Sequence, residues 1–375
     1  MSDFGIAEFQ SRLERAQIAM HAENVDALFL CTEAEIRYFT GFRTLFWQSP
    51  TRPWYLIVPQ KGELVAIIPG IGAELMSNTW VKDIRTWSSP HPTDDGVSLL
   101  GKALKGYSRI GMPMGSEASL RMPLTDFEKV RSLCSAEFVD STSIVKSLRM
   151  IKSDVEIEII RKICEIGSSA FSRAGSLFHC GQPLEEVFRT FKIALLQAGA
   201  EDVPYLVGAA GVGGYGDVIS PPTSTPLVEG DILMLDTGST LKGYFCDFDR
   251  NFAIGHANDA AKDGYRRLWD ATEVGLANAR PGVTCSALFQ AMHQSLGGGI
   301  SDVGRYGHGL GMQLTEWPSI CDHDETVLKP GMVMTLEPNM AISEGKMMVH
   351  EENILITENE PVLLTKRAEP ELPIL

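Results

Sequence analysis

Four acidic residues sit in or beside apolar, strand-like runs. Asp236 follows Asp231-Ile-Leu-Met-Leu, Asp247 lies in Tyr244-Phe-Cys-Asp-Phe-Asp, Glu337 follows Met332-Val-Met-Thr-Leu, and Glu351 precedes Asn353-Ile-Leu-Ile. A lone carboxylate is costly to desolvate unless it is paired or binds a cation. Singly, each reads as a salt-bridged or strand-end residue. Together they repel one another and require counter-charge. His308, in Tyr306-Gly-His-Gly-Leu-Gly, adds an imidazole flanked by glycines that permit close approach of backbone or metal. One imidazole with four carboxylates is a hard-oxygen donor set. It suits two divalent ions (Mn, Fe, Co or Zn) roughly 3.5–4 Å apart and metal-assisted hydrolysis.

The elements that must position these residues are legible as periodic patterns. An amphipathic helix is predicted over 3–24. Strands are predicted at Ala27–Cys31, Trp54–Pro59, Glu63–Ile68, Arg109–Met114 and Glu137–Asp140, with a helix near Thr125–Leu133. Gln60-Lys61-Gly62 joins two of these strands as a hairpin turn. Strands alternating with helices indicate an α/β unit. Ser153-Asp-Val-Glu156 then forms a capping box that opens a long helix, with Val155, Ile159, Ile160, Ile163, Ile166 and Phe171 at helical spacing. A second helix runs Pro183–Ala198, and Gly199 suits its end. A Gly/Pro-rich loop, Gly208 to Pro226, reads as a mobile lid. A hairpin (Ile232–Asp236, Tyr244–Ala253), helices at 258–280 and 285–296, and strands Met332–Glu337 and Met347–Thr357 complete the chain. The second half thus states a helix pair and then carboxylate-bearing strands, twice. The domain boundary falls within 145–152, giving domains 1–148 and 149–375.

Composition sets the outer bounds. The 375 residues carry 33 basic and 48 acidic side chains, a net charge of −15, which argues against a nucleic-acid partner. No apolar run reaches the ~18 residues of a membrane span. The first ten residues, MSDFGIAEFQ, lack the basic and apolar regions of a signal peptide. Seven scattered cysteines without a CxxC pair suit a reducing cytoplasm and exclude a disulfide scaffold.

Read through from Asp236 to Thr357, the sequence resembles the pita-bread metallohydrolases: methionine aminopeptidase, Xaa-Pro dipeptidase and aminopeptidase, and creatinase. The matching stretches are Asp236-Thr-Gly-Ser-Thr-Leu-Lys-Gly-Tyr-Phe-Cys-Asp247-Phe-Asp-Arg-Asn-Phe, Gly307-His308-Gly-Leu-Gly-Met, Leu336-Glu337-Pro338 and Glu351-Glu-Asn-Ile-Leu-Ile-Thr357. Arg149-Met-Ile-Lys-Ser-Asp-Val-Glu156 and Arg280-Pro-Gly-Val-Thr284 also resemble it. The resemblance implies an α/β (α+β) chain: a creatinase/prolidase-like N-terminal domain, then a pseudo-two-fold pita-bread catalytic domain. It implies that Asp236 holds one metal, that Asp247 and Glu351 bridge two, and that His308 and Glu337 hold the second. A metal-activated water would attack an amide carbonyl of a dipeptide or short peptide, with Glu337 as proton acceptor. A homodimer is also implied.

The chain departs from the family at two histidines. One is expected near Ile219 or Ser220, the other where Thr315 stands, and both normally hydrogen-bond the substrate amide. Thr315 keeps a hydroxyl there. The departures leave open a small-molecule amidohydrolase (ectoine-hydrolase-like), a dimethylsulfoniopropionate-lyase-like enzyme, or an inactive binding module. Asp249 stands where the family usually carries Thr, and reads either as an extra ligand or base, or as a salt-bridge partner of Arg250. Trp47 and Arg52 lie in an aromatic-rich loop, either reaching a neighbour's active site to bind substrate or packing a hairpin edge. His350 reads as structural or as support to the centre.

Overall fold

The computed structural model describes residues 4–49, 53–298 and 304–375. The chain divides into two compact units, Met1–Arg149 and Met150–Leu375.

The first unit is built on one six-stranded sheet. Its strands are β1 (Ala27–Leu30), β2 (Tyr55–Pro59), β3 (Val65–Pro69), β4 (Asp83–Trp87), β5 (Arg109–Met112) and β6 (Glu137–Asp140), in the order β4-β3-β2-β1-β5-β6. The predicted β2–β3 hairpin forms, and Gly62 takes φ +98° at its turn. β1 and β2 are buried on both faces, which explains their unbroken apolar runs. The sequence reading missed β4 and the helices Glu33–Thr40, Ala73–Ser77, Val97–Leu104 and Thr142–Met150. β4 reads Asp-Ile-Arg-Thr-Trp and lies half-exposed at a sheet edge, so it carries little apolar signal. The first helix spans Ile6–Ala22, shorter than predicted, and Asp3 lies outside the described residues.

The second unit opens with the helix Asp154–Phe171. Ser153 Oγ accepts from the Glu156 N–H, and the Glu156 carboxylate accepts from the Ser153 N–H at 2.9 Å, which closes the capping box. Val155 faces outward, contrary to the periodic reading; the buried stripe begins at Glu156, whose carboxylate accepts from the Tyr244 hydroxyl at 2.9 Å. This helix packs on the helix Leu184–Ala198 and on the sheet behind it. That sheet comprises β7 (Asp202–Val212), β8 (Asp231–Leu241), β9 (Tyr244–Phe245) and β10 (Phe248–Ala253), ordered β10-β8-β7 with β9 beside β8. The predicted loop from Gly208 therefore begins as strand. A Cβ at Gly208 would meet the Met234 carbonyl oxygen at 2.2 Å, so this glycine serves close strand approach rather than a turn.

The same order then repeats. Helices Asp259–Asn278 and Cys285–Ser295, capped by Asn258 and Thr284, pack on each other. They precede β11 (His308–Gly309), β12 (Glu316–Ser319), β13 (Val333–Leu336), β14 (Asn339–Ser343), β15 (Lys346–Val349), β16 (Glu352–Leu355) and β17 (Val362–Leu363). β12-β11-β13-β16-β17 form one sheet, and β14–β15 form a separate hairpin. The predicted strand Met347–Thr357 is thus two strands, broken at His350-Glu351.

Candidate metal centre

The acidic residues stand on the two sheets of the second unit. Asp236 lies within β8, directly opposite Asp249 of β10. Asp247 occupies the break between β9 and β10. Glu337 follows the last residue of β13, and Glu351 precedes the first residue of β16. β10 packs beside β16, which brings these breaks together. A carboxylate at a strand break leaves the ladder hydrogen bonds to its neighbours and is free to turn inward. Asp247, His308 and Glu351 offer ligand atoms that all lie within 4.8 Å of one another.

His308 is oriented by its main chain and its neighbours. A Cβ at Gly307 would meet the Thr335 carbonyl oxygen at 2.3 Å, and one at Gly309 would meet the Trp317 carbonyl oxygen at 2.1 Å. Only glycine fits on either side. The His308 N–H donates to Thr335 Oγ1 at 3.0 Å, and Nδ1 faces the Gly309 carbonyl oxygen at 2.9 Å. A carbonyl only accepts, so Nδ1 carries the proton. Nε2 then faces Asp247 Oδ2 at 3.3 Å and Glu337 Oε2 at 3.7 Å. This is the arrangement of an imidazole prepared to bind a cation through Nε2.

Three buried oxygens in this group have no hydrogen-bond partner: Asp236 Oδ1, Asp247 Oδ1 and Glu351 Oε1. Buried polar atoms are rarely left so. A divalent cation satisfies such oxygens and offsets their mutual repulsion, so the donor set fits metal. The electrostatics agree. Burial, then the neighbouring carboxylates, hold Asp236 and Glu351 well above the usual carboxylate range. Asp247 is pushed up to about 6, because burial outweighs its hydrogen bond to His308. Burial lowers the imidazolium of His308, but the charges of Glu337 and Asp247 reverse this and leave it raised. A bound cation inverts this logic and favours the ionised carboxylates.

Several supporting residues were not read from the sequence. Arg305, three residues before His308, places Nε 3.3 Å from Glu337 Oε1. Its guanidinium also donates to Thr315 Oγ1 at 3.5 Å, which links Thr315 to Glu337. Tyr205 lies close enough to Asp236 for its side chain to favour the ionised carboxylate. The amide of Asn353 brackets the main chain of Asp247. For Arg305 the signal available was its place beside the glycine-flanked histidine. Tyr205 and Asn353 carried none, because their partners lie 31 and 106 residues away.

The remaining expectations divide. Asp249 is buried, and Arg250 does not pair with its carboxylate: Arg250 donates to the Asp249 carbonyl and to Glu352 at 2.9 Å. Ser220 is exposed and bonded to Asp217, and Ile219 is 75% exposed. His350 is buried between Thr272 Oγ1 at 3.1 Å and Arg367 at 3.4 Å, and burial pushes it down to about 3. This environment favours the neutral imidazole. Trp47 is buried in the first unit, 5.9 Å from Trp54, with the Arg121 guanidinium over its ring at 4.9 Å. Arg52 lies outside the described residues.

This geometry defines a metallohydrolase type of centre on a helix-pair-and-sheet repeat. Residues 158–358 match the model of metallopeptidase family M24, and residues 12–151 match the creatinase/prolidase N-terminal domain. The chain belongs to metallopeptidase family M24. It is 28% identical over 362 residues to an Xaa-Pro dipeptidase of Pyrococcus furiosus, covering 95% of this chain and 98% of that one. It is 28% identical over 357 residues to the uncharacterized peptidase YqhT of Bacillus subtilis, covering 93% and 96%. The crystal structure of the prolidase from Pyrococcus horikoshii OT3 superposes with a TM-score of 0.83 at 24% identity, covering 96% of this chain and 99% of that one. Among the described residues no helix is long and apolar enough to cross a membrane.

Proposed function

We propose that this M24 hydrolase is a metal-dependent dipeptidase of the Xaa-Pro type, working with two divalent ions. The observation that carries the reading is the set of buried, unpartnered carboxylate oxygens around His308 Nε2 in a chain of this family. Asp236 would hold one ion, Asp247 and Glu351 both, and His308 and Glu337 the second, with Mn, Fe, Co or Zn compatible with the donors. When bound, the metal supplies Lewis acidity toward the scissile carbonyl and lowers the pKa of a water.

The chain's own residues do the rest. Glu337 Oε2 faces His308, while Oε1 is held by Arg305, so the carboxylate is oriented to take a proton from the attacking water. Thr315, tied to Arg305, offers a hydroxyl where relatives carry an imidazole, and it positions the substrate amide or its developing oxyanion. We further propose a cytoplasmic homodimer. The support for the cytoplasm is that all seven cysteines are free.

The test is EDTA dialysis, reloading with Mn(II), and assay for proline release from Xaa-Pro dipeptides such as Ala-Pro. Release only after reloading is expected. Two ions bound with no cleavage across the panel would overturn the dipeptidase reading, and no ion bound would overturn the metal centre.

A further inference from the structure

Directly opposed carboxylates on neighbouring strands destabilise a sheet. Yet Asp249 and Asp236 are direct partners across β10 and β8; Asp249 is buried, and Asp236 is half-buried with its Oδ1 enclosed. Asp249 is 2% exposed, and its two oxygens are treated differently. Oδ2 accepts from Asn251 Nδ2 at 2.6 Å. Oδ1 is buried without a partner, as is Oδ1 of Asp236. One carboxylate oxygen tied down and the other left bare is the form of a monodentate metal ligand.

The tie is itself held from behind. Asn251 Nδ2 also donates to the Val349 carbonyl at 2.7 Å, and Asn251 Oδ1 accepts from the Tyr215 hydroxyl at 3.0 Å. The Tyr215 oxygen in turn accepts from the Val349 N–H at 2.7 Å. Tyr215 and Asn251 are both buried. A closed set of hydrogen bonds among β10, the hairpin strand β15 and the turn after β7 thus fixes the rotamer of Asp249. Metal-binding side chains are oriented by partners of this kind. Arg250, the nearest cation in sequence, acts on Asp249 through its charge, but its N–H groups donate to carbonyls and Glu352 and leave Asp249 Oδ1 without a donor.

We propose that Asp249 is a further metal-coordinating side chain, acting with Asp236 on the same ion and adding a fifth carboxylate that weights the centre toward hard divalent ions such as Mn(II). The proposal rests on the metal centre argued above. Oxygen-rich donor sets favour Mn(II), whereas fewer oxygens relative to imidazole favour Zn(II).

The test uses the full chain and its Asp249→Asn variant, each stripped with EDTA. Metal stoichiometry is read by elemental analysis, affinity for Mn(II) and Zn(II) by calorimetry, and melting temperature with and without metal. The variant is expected to bind Mn(II) ~10–100-fold more weakly, to lose less affinity for Zn(II), and to melt higher than the parent in EDTA, because the cost of burying an acid opposite Asp236 is gone. A purely structural Asp249 predicts the reverse: a lower melting temperature in EDTA and unchanged affinity. Either of those results overturns the proposal. A parent chain that binds no metal fails at the earlier step, a distinct outcome that overturns the centre itself and this proposal with it.

Discussion

The side-chain amide of Asn353 closes a two-point clamp on the main chain of Asp247. The Asp247 N–H donates to Asn353 Oδ1 at 3.0 Å, and Asn353 Nδ2 donates to the Asp247 carbonyl oxygen. An amide side chain thus replaces the ladder partner that Asp247 loses at its strand break. It also ties a residue on the edge of one sheet to β16 of the other. Asn353→Ala leaves a buried N–H and carbonyl unpaired, at a cost of about 2–4 kcal/mol. Urea denaturation should show that loss, and metal titration a ~10–100-fold weaker affinity. A variant with parental stability and affinity would show that Asp247 holds itself.

Metal removal should destabilise the chain. The carboxylates of Asp236 and Glu351 are crowded among like charges, and a divalent cation relieves them while keeping them ionised. At a hundred times the dissociation constant, a bound ion contributes about 2.7 kcal/mol. Melting in EDTA and again after Mn(II) addition measures this. Identical melting temperatures would contradict the centre.

Thr315→Val keeps the shape of the side chain and removes its hydroxyl. The partner lost is Arg305, which also holds Glu337. Metal content should not change, and kcat/KM on Xaa-Pro dipeptides should fall roughly tenfold, the value of about one hydrogen bond to a charged group. Steady-state kinetics at fixed Mn(II) decide it, and unchanged kinetics would remove Thr315 from the site.

Lys152 and Glu316 form a buried ion pair at 3.1 Å beside the loop that carries Thr315. Glu316 also accepts from the Gln313 N–H at 3.1 Å, which shapes that loop. Lys152→Met strands a buried carboxylate and should cost about 3–5 kcal/mol. Lys152→Met with Glu316→Gln should recover part of it. A double variant no more stable than the single one would refute an ion-pair origin for the loss.

Glu35 supplies a pH dependence in the first unit. Burial pushes its carboxyl above the ordinary range, against its hydrogen bonds to Thr32 and the charge of Arg149. A carboxyl whose folded pKa is raised favours folding below its unfolded pKa, about 4.3, and loses that contribution as pH rises through the folded value. Glu35→Gln keeps the side-chain acceptor for the Thr32 N–H and removes the titration. The variant should therefore gain on the parent as pH rises from 4 to 7. Denaturation midpoints that stay parallel across that range would exclude the effect.

Much of this protein is legible in its sequence. Helix Asp154–Phe171 announces itself through its capping box and apolar stripe, because both act within a few residues. The strands that are buried on both faces were visible as apolar runs for the same reason. His308 and four carboxylates together pointed to metal chemistry, because acids crowded among apolar strands need counter-charge, and their order carried the family resemblance. What stayed hidden was set by distant partners. β4 lacks an apolar pattern because it forms a half-exposed edge. The break at His350-Glu351 is invisible locally, because β15 and β16 pair with different strands, β14 and β13.

Residue type and spacing determined which side chains could carry charge to a common site, because desolvation cost is a property of the residue and its apolar neighbours. Only the tertiary structure decided how each is aimed. It set Nδ1 of His308 on the Gly309 carbonyl, Arg305 against Glu337, and Asp249 across from Asp236. The last two join different strands and loops, and no local propensity encodes the register that creates them.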